Sequence, residues 1–132
     1  MDAWGCRIFA GGMLVRKPDQ DDMATAPDVV VRCGPPLGSL RFIEDPVVVV
    51  EVLSPSTMDE DRGSKLMFYK SLPTLRHVAL VYLDEWRIEA RDQVGDMWSY
   101  RALTAADDIL SLAAVEHAIP LRVAYAGTSL AG

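Results

Sequence analysis

A mixed α/β fold, mostly sheet with one main helix, is what the patterning of this chain predicts. Three observations carry that reading. Two valine-rich runs, PDVVV around Asp28 and VVVVEVL over residues 47–53, read as buried strands. A segment between Thr57 and Pro73 carries helix-start signals and an inward-facing apolar stripe. Three further β-rich runs, 77–83, 86–91 and 97–102, are separated by turn residues, as in a meander.

Taken in order, residues 6–10 and 13–16 read as two short strands around Gly11-Gly12, a hairpin turn signal. Residues 18–26 are polar and read as a loop. The strand over residues 28–32 stops at Gly34-Pro35-Pro36. Residues 37–46 form a second connection with a brief helical turn. The central strand, residues 47–53, ends at Ser54-Pro55. Thr57 and Glu60 have the spacing of a capping box, and Asp59, Glu60 and Asp61 suit the positive end of a helix dipole. Leu66, Tyr69 and Leu72 supply the inward face, and Pro73 limits the far end. Asp84-Glu85 and Gly95-Asp96 provide the turns of the meander. Residues 109–112 fit a short strand, and Pro120 opens a short helix reaching Tyr125.

With 132 residues, half of them apolar, the chain suits one domain, spanning residues 1–132, with a core that needs no staples. Cys6 and Cys33 lack metal-site spacing. Without a basic, apolar export signal at the amino terminus, they read as reduced thiols in a cytosol. No apolar run approaches the ~20 residues of a membrane span. The net charge of −6, from 13 basic and 19 acidic residues, argues against broad electrostatic binding of nucleic acid. An acidic metal-dependent nuclease remains compatible with it, because ligand carboxylates count as negative before the ion is added. Ten of the 13 basic residues are arginine, a bias that points to a GC-rich bacterial genome.

The chemistry concentrates on three residues. Glu51 is an acid inside a buried strand, where a carboxylate is costly unless paired or bound to a metal. Asp28 lies in the other valine run; if the two strands are neighbours, both carboxylates lie on one face. At close range they repel unless a cation intervenes, and Mg²⁺ or Mn²⁺ is the natural candidate. Lys65, on the following helix, would stabilise developing phosphorane charge or position the attacking water. Asp28 and Lys65 have bland alternatives. Asp28 also reads as a turn acid after proline. Lys65 also reads as a solvated helix lysine paired with Asp61, and Tyr69 as core packing. His77 and His117 stand apart from any catalytic partner and read as structural or surface residues. Cys33 lacks an approaching histidine.

PDVVVRCG, DPVVVVEVLSPST and DRGSKLMFYKSLPTLRHVALVYLDEWRIEAR together resemble the bacterial Uma-type family of "putative restriction endonucleases", through nearly the whole chain. The resemblance implies the PD-(D/E)xK nuclease fold: a restriction-endonuclease-like core with one main helix and a β-meander. It implies Asp28 and Glu51 as metal ligands, with the usual strand lysine replaced by Leu53 and displaced to Lys65 on the helix. Members usually begin with a further helical region and a strand pair carrying another acid of the site, so the resemblance implies an amino-terminally shortened domain. It implies DNA as partner, Mg²⁺ (with Mn²⁺ substituting) as cofactor and a cytoplasmic bacterial protein. A homodimer is expected too, since a sheet and helix without those elements would expose edges and apolar surface. The rival expectation is a catalytically inactive fold relative acting by self-association or partner binding. A third is a metal-dependent hydrolase of another phosphate ester.

Overall fold

The computed structural model describes residues 5–18, 24–39, 41–54 and 63–126. In chain order the strands are β1 (Cys6–Ala10), β2 (Leu14–Arg16), β3 (Ala24–Thr25), β4 (Val29–Cys33), β5 (Phe42–Ile43) and β6 (Pro46–Leu53). Helix α1 (Ser64–Lys70) follows, then β7 (His77–Tyr82), β8 (Ile88–Val94), β9 (Met97–Leu103) and β10 (Ile109–Leu112). A 3₁₀ turn (Ala113–Val115), β11 (His117–Pro120) and α2 (Leu121–Ala124) complete the description.

A six-stranded sheet in the order β1-β4-β6-β7-β8-β9 forms the centre. Strands β6 and β7 run parallel; the other neighbours are antiparallel. A parallel pair cannot be closed by a tight turn, so the chain crosses over between them, and that crossover carries α1. Val48 and Val49, consecutive in β6 and pointing to opposite faces, are both buried, so the sheet is covered on both sides. On one face α1 sets Leu66, Phe68 and Tyr69 against Val49, Leu53 and Leu80. On the other, Leu110, Leu112, Leu121 and Tyr125 pack on Ala79 and Ile88. Among the described residues no helix is long and apolar enough to cross a membrane.

The mixed α/β expectation is met, with the central strand, the meander, the residue 109–112 strand and the Pro120-led helix in place. Four expectations are corrected. Gly11 and Gly12, both at positive φ, do turn the chain, but not into a hairpin. β2 leaves for a second sheet, antiparallel to β3 and parallel to β5, because that position buries Val15 completely. Residues 24 and 25, within the expected polar loop, form β3, and residues 42 and 43 form β5 in place of a helical turn. Two-residue strands are too short to show a period. The fourth correction concerns the cysteines: Cys6 and Cys33 form a disulfide. The β1–β4 register sets them directly opposite, with Cα atoms 3.9 Å apart, so they are not the reduced thiols expected. The capping box at Thr57 and Glu60 lies outside the described residues; within them α1 starts after Gly63, with no side-chain cap.

Candidate active site

Strand alternation turns Val49, Glu51 and Leu53 toward α1. Glu51 is only 2 % exposed. Lys65 and Tyr69 stand one turn apart on α1, so both side chains reach the same carboxylate. Lys65 Nζ lies 3.2 Å from Glu51 Oε2, and the Tyr69 hydroxyl donates to Glu51 Oε1 at 3.3 Å. Thr25 of β3 donates to the Tyr69 hydroxyl at 2.9 Å, which holds that phenol in line. The small second sheet therefore has a place in the site, since it delivers Thr25. Lys65 keeps a partly exposed side chain, so this ion pair lies at the boundary between core and solvent. Leu53, where a lysine stands in the ordinary motif, is fully buried in the α1-side core. An ammonium there would have to give up its hydration.

Asp28 stands just before β4 and is exposed. The β4–β6 register pairs Val29 with Val50, so the next step along the ladder sets Asp28 beside Glu51. Its Oδ2 accepts the Val52 amide at 2.7 Å, which anchors the acid to the strand that carries Glu51. The structure thus gathers Glu51, Lys65 and Tyr69 into one hydrogen-bonded group and places Asp28 at its margin. Among the described residues, no group of three or more His, Cys, Asp or Glu side chains gathers as a metal site. Asp28 and Glu51 bring two carboxylates to adjacent steps of the β4–β6 ladder, oxygen donors of the kind a hard divalent ion takes.

Both histidines fall outside this group. His77 contacts Asp92 through Nδ1 at 2.8 Å, and its Nε2 accepts the Ala114 amide at 3.2 Å. Such a ring, held at both nitrogens, is a brace between β7 and the 3₁₀ turn. His117 is exposed on β11. Cys33 is consumed by the disulfide.

Sequence reasoning missed Glu89. It is completely buried and lies on the same sheet face as Glu51, since the registers align Glu51 with Leu80 and Leu80 with Glu89. Arg87 donates to Glu89 Oε2 from Nε at 3.0 Å and from Nη2 at 2.9 Å, and the Tyr100 hydroxyl adds a bond at 3.2 Å. Glu89 holds the Arg87 guanidinium well above its ordinary pKa, so it stays charged. The available signal was R-I-E-A-R itself, with charges alternating against small and apolar residues. That pattern reads as a solvated face, and burial on both sides of the sheet reverses it.

Residues 2–124 match the model of the Uma2 family, described as "Putative restriction endonuclease". The chain is also 39 % identical over 82 residues to the "Uncharacterized protein slr1290" of Synechocystis sp. (strain ATCC 27184 / PCC 6803 / Kazusa). That match covers 61 % of this chain and 43 % of the relative, so the chain spans less than half of that protein's length. With nearly all of its residues matched by the family model, the chain belongs to the Uma2 family.

Proposed function

We propose that this protein is a metal-dependent endonuclease hydrolysing DNA phosphodiester bonds, with Asp28 and Glu51 as ligands of Mg²⁺ and Lys65 as the catalytic cation. The observation that carries the reading is the buried Glu51 carboxylate, held by Lys65 and Tyr69 from one face of α1. Family membership supports the same reaction class. The ion, when bound, polarises the phosphodiester and lowers the pKa of water. The protein's own share is positional. Tyr69, backed by Thr25, orients Glu51. Lys65, close enough to solvent to reach a substrate, offers its ammonium to the charge that develops on the phosphoryl oxygens.

The test pairs a calorimetric Mn²⁺ titration with a plasmid-nicking assay. Lys65→Ala is expected to lose ~10²–10³ in cleavage rate while Mn²⁺ binding survives, since an electrostatic group is removed and the ligands remain. Glu51→Gln is expected to weaken Mn²⁺ binding itself, because a neutral amide replaces an anionic ligand. Cleavage by Lys65→Ala at the parent's rate refutes the lysine's role.

A second reading has its own support: an inactive relative acting through self-association. β1 is an edge strand of the central sheet, and its Ile8 is 68 % exposed. Beside it a groove of about 320 Å³ is lined by Val29, Val31, Val50 and Ile119. A homodimer closing this edge is compatible with either reading. A chain that binds Mn²⁺ and dimerises but never cleaves DNA favours the second.

A further inference from the structure

Arg91 is the one group in the Glu89 cluster whose place the packing of Glu89 leaves unexplained. Arg87 already neutralises Glu89 with two hydrogen bonds, and Tyr100 adds a third. Arg91 stands two residues further along the same face of β8, with only 16 % of its side chain exposed. Its guanidinium lies 4.8 Å over the Tyr100 ring. Glu89 Oε1 is 4.0 Å from Arg91 Nη1, an ion pair between two enclosed atoms at a distance beyond hydrogen-bond reach. Glu89 Oε2 accepts from Arg87 and Tyr100, and the solvent-facing part of the Arg91 guanidinium, over the Tyr100 ring, presents planar donors suited to an oxyanion.

The surroundings fit such a ligand. Among the described residues Arg87 and Arg91 flank a single carboxylate, so these three groups carry a net positive charge in a chain of net charge −6. Tyr100 is half exposed and Arg87 partly so, which opens the outer side of the cluster to solvent. Glu89 also fixes Arg87 in place, so little side-chain freedom remains to be lost on binding.

We infer that Arg91, with Arg87 and Tyr100, forms an oxyanion site that takes a backbone phosphate of a nucleic acid strand. The register places Arg91 two strands across from Glu51 and two residues further along, on the same sheet face. Two strand spacings across and two residues along amount to roughly 12 Å between the two backbone positions. A strand following the rim of this face, where Lys65 and Tyr100 meet solvent, would set one phosphate at Arg91 and a later one beside Lys65. The oxyanion site stands on the geometry of β8 and β9; its assignment to nucleic acid rests on the nuclease reading.

The test uses the full chain and a fluorescent DNA duplex in EDTA, so binding is read without cleavage. Arg91→Gln is expected to weaken binding about tenfold and to reduce the slope of log K against log[salt] by about 1. Arg91→Lys keeps the charge and loses the planar fork, and is expected to bind more weakly than the parent by a smaller factor. Arg122→Gln, on α2 and paired with Asp107, is expected to match the parent. In parallel, inorganic phosphate at fixed ionic strength is expected to raise the parent's melting temperature and not that of Arg91→Gln. Unchanged affinity and salt slope in both Arg91 variants overturn the site, as does a parent that binds neither DNA nor phosphate. A parent that responds to phosphate through Arg91 but binds no duplex overturns the nucleic-acid assignment. Glu51→Gln separates this from the nuclease reading: it is expected to stop cleavage and to keep the Arg91-dependent phosphate response.

Discussion

At the scale of single residues, buried hydroxyls tie the molecule together at two distant points. Tyr69 links the small sheet to Glu51, as described. Tyr125, on the opposite face, packs its ring on Trp86 at 5.3 Å and hydrogen-bonds with the carbonyls of Tyr82 and Arg87, each at 2.7 Å. It also accepts the Arg87 amide at 3.1 Å. The phenol thus clamps the turn between β7 and β8, the turn that aims Arg87 at Glu89. Burial pushes the Tyr125 phenol above its ordinary value of 10.0, with Arg87's amide opposing and the acids Glu85 and Asp84 adding to the rise. The folded pKa lies above the unfolded one. The stability held by the neutral phenol is therefore fully present below about pH 10. It is lost as pH rises through the folded value. Absorbance at the phenolate band, followed with circular dichroism, is expected to show Tyr125 ionising late, together with unfolding. Tyr125→Phe is expected to cost about 1 kcal/mol and to reduce the late absorbance change by one tyrosine. Glu51 was legible in sequence because one carboxylate among β-branched neighbours has no cheap explanation. Glu89 was not, because flanking arginines make a strand look solvated, and only the cover on its face reveals otherwise.

Among the elements, β1 is the weakest member of the central sheet. Among the described residues it pairs with β4 alone, and most of its own residues are exposed. The Cys6–Cys33 disulfide adds a covalent tie where the backbone ladder is thinnest. It closes a loop spanning 27 positions in sequence. By the chain-entropy model such a loop is worth about 3–4 kcal/mol. Urea unfolding with and without a thiol reductant is expected to differ by about that much. Cys6→Ser is expected to match the reduced parent. Equal stability in all three would mean that the bridge constrains nothing the β1–β4 ladder does not. This tie could not be read from sequence, since two cysteines so far apart lack a spacing rule and meet only through the register of two strands. The same limit hid β3 and β5. Long strands such as β6 announce themselves by composition, whereas two-residue strands exist only because larger elements hold their partners in place.

For the whole molecule, the two faces of the sheet are finished differently. The α1 face is closed over Glu51 and Leu80, with the small sheet sealing its flank. The opposite face is covered by the β10–β11 hairpin and α2 over its middle strands, but toward β1 an apolar groove stays open. An unpaired strand edge beside an apolar groove is the surface that invites a second copy, and proteins that stay monomeric blunt such an edge with charge or proline. β1 carries Arg7 at its edge, yet Ile8 beside it points out unprotected. A two-fold contact of β1 with β1 would continue the sheet antiparallel across the axis, bring two grooves together and cover both copies of Ile8. The expected outcome is a dimer by light scattering. Ile8→Lys, which puts a charge at the centre of that contact and leaves the core untouched, is expected to shift it to monomer with the melting curve of the fold retained. A parent that scatters as a monomer at every concentration sampled refutes the dimer. A dimer indifferent to Ile8→Lys refutes its placement at β1 and leaves the exposed meander strands, with Met97 and Tyr100, as the alternative contact. That outcome would also set the partner against the Arg91 cluster, and duplex binding and dimerisation would then compete, which a titration of one against the other can read directly.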